Sequence, residues 1–401
     1  MRVSTAQFYF QNSQQISNKS SDVNEQIAYI SSGKKVLTAK DDAVAFGTLA
    51  GYKDSLNNIE KYQRNITQAE SRNSLQEVSF SNAEGVMQKL KQLFVQANNG
   101  TLSSEDLYSL AGLVGNSQQE LLDIANSKDE TGGYIFSGFQ VDKEPFAIQL
   151  DNSVNYQGDN GVRELQIAKN VMVELNQPGD VAFENISNVV GDFTPSYITN
   201  TSGINVSSAV IVDPSNYDSV NFPPDYTFSF SAPGNLTVTD ANSVAVYPTA
   251  PYTAGQIIAF NGVEVQISGN PLPGDQLTLT PEENISIFDT IKSAIDWMNV
   301  GTSSTNPEQH QVDHEEILNQ LNSALNHMTI RQTDAGVRGS LIDHQKTNHL
   351  DTELVISKGK SNIEDLDYAK AISSFEQSQV ALQAAQQTFV QIKDLSLFNY
   401  I

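Results

Sequence analysis

The chain has 401 residues, a formal net charge of -24, an apolar share of 39% and no cysteine. That length gives room for two or three domains with sizeable cores, while the missing cysteine excludes thiol catalysis, thiolate metal sites and disulfide staples. So acidic a chain lacks the basic patches that nucleic acid or an anionic membrane requires, and no window approaches the eighteen apolar residues of a membrane span.

The opening MRVSTAQFYFQNSQQIS has no apolar core of the kind a cleaved secretory signal carries, so export without cleavage or residence in the cytoplasm is expected. Tyr9, Ile16, Val23, Ile30 and Leu37 then recur every seventh residue, which lays one stripe along a helix that faces a partner helix. Between Arg2 and Lys19 there is no charge, and Gln7, Gln11, Gln14 and Gln15 occupy the remaining surface.

A longer helical run follows through Leu49, Tyr52, Leu56, Ile59, Tyr62 and Ile66, resumes at Val86, Leu90, Leu93 and Ala97, and stops at NNG. Ser103 with Asp106 makes a capping box for a second helix carrying Leu107, Leu110, Val114, Leu121 and Ala125. GGYIFSGF has three glycines but no phosphate-loop order. YQGDNG (156–161) offers calcium-like oxygens without the spacing of an EF-hand, and reads as a hairpin turn between SVNYQ and VRELQIA.

Eleven prolines lie between Pro178 and Pro281, and no lysine or arginine stands between Lys169 and Lys292. Short β-branched and aromatic runs such as DYTFSF, NLTVTD and DQLTLT alternate there with turn residues, and Asn261-Gly262 joins two such runs as a two-residue hairpin. A β domain is therefore expected at 181–281.

Beyond it, His310 and His314 share a face at a helix start, a spacing that can hold a metal. The zinc-peptidase order is absent, and acidic residues in a first turn already have a reason in the helix dipole. No Ser-His-Asp arrangement or nucleophile elbow is readable, so no catalytic, cofactor or metal residue is assigned. Ile317, Leu321, Leu325 and Met328 open a returning helix, which Gly336 and Gly339 are expected to interrupt before Leu350, Leu354 and Val355.

The last arm mirrors the first. Tyr368, Phe375, Leu382 and Phe389 recur every seventh residue, with Ile372 beside them and a row of Ala371, Ser378, Ala385 and Ile392 three residues on. Between Lys370 and Lys393 the one charge is Glu376, amid six glutamines. An uncharged amide face is buried against another protein at far lower desolvation cost than an ionic one. Burial along a single seam falls short of the entropy of ordering both arms, so they are expected to gain stability from neighbouring copies.

The expected fold class is a multidomain α+β chain, in which N- and C-terminal helices form a coiled coil and helical rod around an inserted, mostly-β domain. Residues 1–40 and 361–401 form the terminal coiled coil, 41–180 and 282–360 the helical rod domain with a hairpin, and 181–281 the outer domain.

ISSGKKVLTAKDDAVAFGTLAGYKDSLNNIEKYQRNI (30–66) and the stretch from DAGVRGSLIDHQ to the C-terminus resemble the signatures of the bacterial flagellin superfamily. GGYIFSGFQVDKEPF (132–146), NYQGDNGVRELQIAKNVMVELNQPGDVAFENI (155–186) and PLPGDQLTLTPEENISIFDTIKSAIDWM resemble its hook–filament junction branch more than filament flagellin. Where that family often has proline after the paired aspartates, Ala43 stands here, which bears on the sharpness of the helix start.

The resemblance implies a non-enzymatic adaptor, secreted through the flagellar type III apparatus into the distal flagellum; filament flagellin itself is the second reading, and a secreted β-domain adhesin or hydrolase on a helical stalk the third. It implies as partners copies of itself, the first hook-associated protein, filament flagellin and an export chaperone on the C-terminal helical region. It implies that Lys34, Lys35, Asp41 and Asp42 lie in the charged loop joining the coiled coil to the middle domain.

Overall fold

The computed structural model describes residues 2–232 and 234–394. Three helices come first, α1 (Arg2–Ser32), α2 (Ala43–Ala97) and α3 (Ser104–Ala125), and three come last, α4 (Ile287–Val300), α5 (Pro307–Glu364) and α6 (Tyr368–Asp394). Between them lie β1 (Phe146–Ile148), β2 (Val154–Tyr156), β3 (Glu164–Ala168), β4 (Val171–Glu174) and β5 (Ile186–Ser187). There follow β6 (Phe193–Thr199), β7 (Asn205–Ile211), β8 (Tyr226–Ser231), β9 (Asn235–Thr239), β10 (Ala245–Pro251), β11 (Ile257–Phe260), β12 (Val263–Ser268), β13 (Gln276–Pro281) and β14 (Asn284–Ile285). The chain is thus helical at both ends with a β-rich centre. It divides into two compact units, residues 1–64 with 344–401, and residues 65–343. The terminal unit is therefore wider than the expected 1–40 with 361–401, because α2 and α5 each contribute to both units.

The larger unit has two main cores. In the helical one, Phe80, Met87, Leu90 and Phe94 of α2 meet Leu107, Val114 and Leu121 of α3, Ile287 and Ile291 of α4, and Leu321 and Met328 of α5. Ser103 starts α3 as read: its side chain accepts from the Asp106 amide while the Asp106 carboxylate accepts from the Ser103 amide. The other core is a β domain of two antiparallel sheets, β10-β9-β8-β13-β6 and β11-β12-β7. Alternate residues point inward, for example Tyr226, Phe228 and Phe230 of β8 and Val263, Val265 and Ile267 of β12, and they share one buried cluster. Asn261 and Gly262 connect β11 to β12 with φ of 43° and 75°, the double positive φ of a two-residue hairpin. A smaller cluster seats the β3–β4 hairpin on Ile66 and Ala69 of α2 and Ile342 of α5.

Three expectations are corrected. The outer domain does not begin at 181, because Ala182, Phe183 and Ile186 are buried in the helical core and β5 pairs with β14; the β core starts at Val190. YQGDNG is not a hairpin turn, since β2 pairs with β1 and β3 with β4. Asp159 instead reaches back, accepting from the amides of Phe139 (2.9 Å), Gln140 (3.1 Å) and Gly161 (2.8 Å), which ties the loop to 138–140. Gly336 and Gly339 do not interrupt α5. Each glycine costs about 1 kcal/mol in a helix interior, and packing outweighs that cost here. Beside Gly339 lies Asn73, which donates to the Ala335 carbonyl at 2.8 Å.

Candidate assembly interface

α1 and α6 pack antiparallel in the terminal unit, with Tyr9 edge-on to Phe389 at 6.0 Å. Tyr9, Ile16, Val23 and Ile30 lie half-buried along α1, and Phe375, Leu382 and Phe389 half-buried along α6. The small row matters as much: Ala371 is buried and Ser378 and Ala385 are half-buried, so on α6 the covered positions alternate by three and four in the manner of a coiled coil. Tyr368 and Ile372 are 52% and 46% exposed, and the Tyr368 hydroxyl lies beside Gly33 at the end of α1. The side chain of Ile392 and residues 395–401, which were expected to extend the arm, lie outside the described residues.

Leu37 is also corrected. Gly33 ends α1 with φ of 69°, its amide bonded to the Tyr29 carbonyl at 2.9 Å, so the seven-residue repeat cannot continue to Leu37. Leu37 sits in the following loop, where its neighbour Val36 is the buried residue. That loop is clasped to the α5–α6 turn. The Lys35 amide donates to the Glu364 carbonyl at 2.8 Å, the Leu366 amide donates to the Gly33 carbonyl at 3.0 Å, and Lys35 Nζ donates to the Asn362 carbonyl at 2.7 Å. The Glu364 carboxylate is buried and pairs with Lys34 (2.7 Å), Lys360 (3.5 Å) and Lys53 (3.9 Å). The Lys34 hydrogen bond holds this carboxyl below its ordinary value. Sequence reading missed Glu364, because a glutamate on a long helix gives no signal that it is buried.

Across the clasp, Asp41 Oδ2 accepts from the amides of Leu37 (2.9 Å) and Thr38 (2.8 Å). Asp42 Oδ1 accepts from Val44 (3.0 Å) and Ala45 (2.9 Å), which caps α2. The cap defines the start of α2 although Ala43 replaces the family's usual proline.

Between Arg2 and Lys19 of α1 and between Lys370 and Lys393 of α6 the one charge is Glu376, while Lys19, Glu25 and Lys370 are exposed outside those stretches. Gln7, Gln11, Gln14 and Gln15 on α1 and Gln377, Gln379, Gln383, Gln386, Gln387 and Gln391 on α6 are all exposed. Among them stand Phe10 (71% exposed), Val380 (64%) and Val390 (54%). Among the described residues of this unit, Val36, Leu49, Ile59 and Ala371 are the buried apolar side chains. No described residue of the α1 stripe is among them, so the seam is a contact half made.

The candidate metal face is differently occupied. His310 stacks on Trp297 at 4.2 Å, and Trp297 Nε1 donates to the His310 carbonyl at 2.7 Å. His314 is buried and stacks on Phe94 at 4.6 Å. Burial lowers the pKa of both imidazoles, as suits core histidines.

Comparison with known proteins bears on the whole chain. Residues 3–141 match the bacterial flagellin N-terminal helical region and residues 318–401 the C-terminal helical region. Flagellar hook-associated protein 3 of Escherichia coli is 31% identical over 48% of this chain and 60% of its own length. The Salmonella typhimurium protein of the same name is 24% identical over 100% of this chain and 99% of its own. The crystal structure of the flagellar junction protein FlgL from Legionella pneumophila superposes with a TM-score of 0.63 at 31% identity, covering 79% of this chain and 100% of that one. The helical ends, the β-rich centre and these matches together show that the chain belongs to the flagellar hook-associated protein 3 family of the bacterial flagellins, structural proteins located at the hook–filament junction.

Proposed function

We propose that this chain joins the hook-associated segment of the flagellum to the filament by helical assembly of its own copies, with the α1–α6 pair as the contact that assembly completes. The observation that carries this reading is the outer face of the pair over residues 7–18 of α1 and 371–391 of α6, where Glu376 is the one charge. A helix surface facing water normally carries charges, whereas this one exposes amides, Phe10, Val380 and Val390. Completing the burial of the seven half-buried seam side chains contributes on the order of 5–10 kcal/mol per subunit. The first hook-associated protein would take one end of the assembly and filament flagellin the other, while an export chaperone would cover the C-terminal helical region beforehand. The reading assigns no catalytic step.

The test is a chain lacking residues 375–401, supplied to cells without the full-length protein. It is expected to be made and to leave filaments unattached to hooks, seen as loss of swimming and shed flagellin. Normal swimming with attached filaments contradicts the reading. Growth of the purified full-length chain into long filaments by itself favours a filament flagellin instead.

A further inference from the structure

Asparagine is followed by glycine three times, at Asn99-Gly100, Asn160-Gly161 and Asn261-Gly262. In such a pair the glycine nitrogen can close on the asparagine Cγ, since no Cβ hinders the approach. Closure needs a side chain able to meet that nitrogen and an N–H free to lose its proton. The fold grants both to one pair and withholds one or the other from the remaining two.

At Asn261 the side chain is held at both ends. Its Oδ1 accepts from the Asp218 amide (3.0 Å), and its Nδ2 donates to the Tyr226 hydroxyl (3.0 Å) and the Asp218 carbonyl (3.2 Å). Those bonds must break before Cγ can meet the Gly262 nitrogen. At Asn160 the nucleophile is held instead. Gly161 is buried, its amide donates to Asp159 Oδ1 (2.8 Å), and its carbonyl accepts from Asn176 Nδ2 (2.8 Å).

Asn99 and Gly100 lie exposed in the turn between α2 and α3. Among the described residues nothing accepts from the Gly100 amide. Asn99 Oδ1 accepts from Thr101 Oγ1 (2.9 Å) and from the Thr101 amide (3.2 Å), an Asx-turn that folds the side chain back along its own backbone. Attack at Cγ puts negative charge on that same oxygen, where two donors already stand.

We propose that Asn99 is a self-modification site, at which the Gly100 nitrogen attacks Asn99 Cγ while Thr101 holds the developing oxyanion. Base takes the Gly100 amide proton, the N–Cγ bond forms, and Nδ2 gains a proton and leaves as ammonia. The resulting succinimide adds water. Opening at Cγ gives aspartate, and opening at the main-chain carbonyl gives isoaspartate. Water is the one co-reactant, and ammonia the one species released. The isoaspartyl product adds a methylene to the main chain and turns the Asn99 carbonyl, acceptor of the Leu102 amide at 3.0 Å, into a free carboxylate. Leu102 packs against the helical core, so the turn must rearrange. Both products place a negative charge just past the C-terminus of α2, where the helix dipole opposes it.

Peptide mass spectrometry of the purified full-length chain, held in mildly alkaline buffer, reads the replacement of NH2 by OH at each pair. Asn99 should convert on the order of tenfold faster than Asn160 or Asn261, about the rate worth of one hydrogen bond, and faster still as pH rises. Unfolding in urea should bring the three rates together. Thr101→Val, which keeps the amide donor and removes the hydroxyl, should slow Asn99 severalfold. Conversion of Asn160 or Asn261 as fast as Asn99 in the folded chain overturns the proposal, as does an unchanged ranking in urea. An unaltered Asn99 rate in Thr101→Val, a change confined to an exposed position, overturns the part assigned to the Thr101 hydroxyl.

Discussion

A chain carrying Leu382→Asp is expected to fold its larger unit normally and to fail at the junction. Leu382 is half-buried in the lone molecule, so the aspartate can stay wetted there and thermal unfolding of residues 65–343 should shift little. In an assembly the same position closes, and an unpaired carboxylate then costs several kcal/mol per subunit. Copies repeat around the assembly, so that cost repeats with them. Swimming should be lost and hooks should lack filaments, while Leu382→Met at the same site should behave like the parent because it conserves volume and apolarity. Equal motility for the two variants would remove Leu382 from the seam.

Phe183→Ala should show the reverse pattern, with the larger unit itself losing stability. The ring is fully buried, edge-on to Phe136 at 5.2 Å and to Phe146 at 5.5 Å, and close to Phe288 at 6.2 Å and Phe80 at 6.4 Å. It joins the short helical turn Asp180–Glu184, which follows β4, to α2, α4 and the β1 strand. Truncating such a ring costs about 3–5 kcal/mol, from lost transfer energy and the cavity left behind. For a unit of this size the melting temperature should fall on the order of ten degrees, and calorimetry reads it directly. A shift under about two degrees would mean that the cluster does not hold the unit together.

The sequence was most legible where one period repeats without interruption. Tyr9 to Ile30 and Phe375 to Phe389 announce their helices by spacing, and Tyr226, Phe228 and Phe230 announce a strand by alternation. Ser103 with Asp106 and Asn261 with Gly262 are local chemistry and appear in place. Legibility ended where distant residues decide the outcome. Gly33 halts α1 through its own backbone and the α5–α6 turn, so Leu37 keeps the period yet leaves the helix. Gly336 and Gly339 look like breaks until Asn73 is seen beside Gly339. Asp159 could have capped a hairpin, but two of its three amide partners, Phe139 and Gln140, lie about twenty residues upstream. Glu364 is an ordinary helix glutamate by sequence, and only the fold shows that it is surrounded by lysines.

Amide hydrogen exchange on the purified chain, compared with the same chain in assembled flagella, tests the half-made seam most directly. In the lone chain, residues 2–32 and 368–394 should exchange orders of magnitude faster than the cores of residues 65–343, and in the assembly they should become protected together. Slow exchange of α1 and α6 in the lone chain, matching the larger unit, would contradict it.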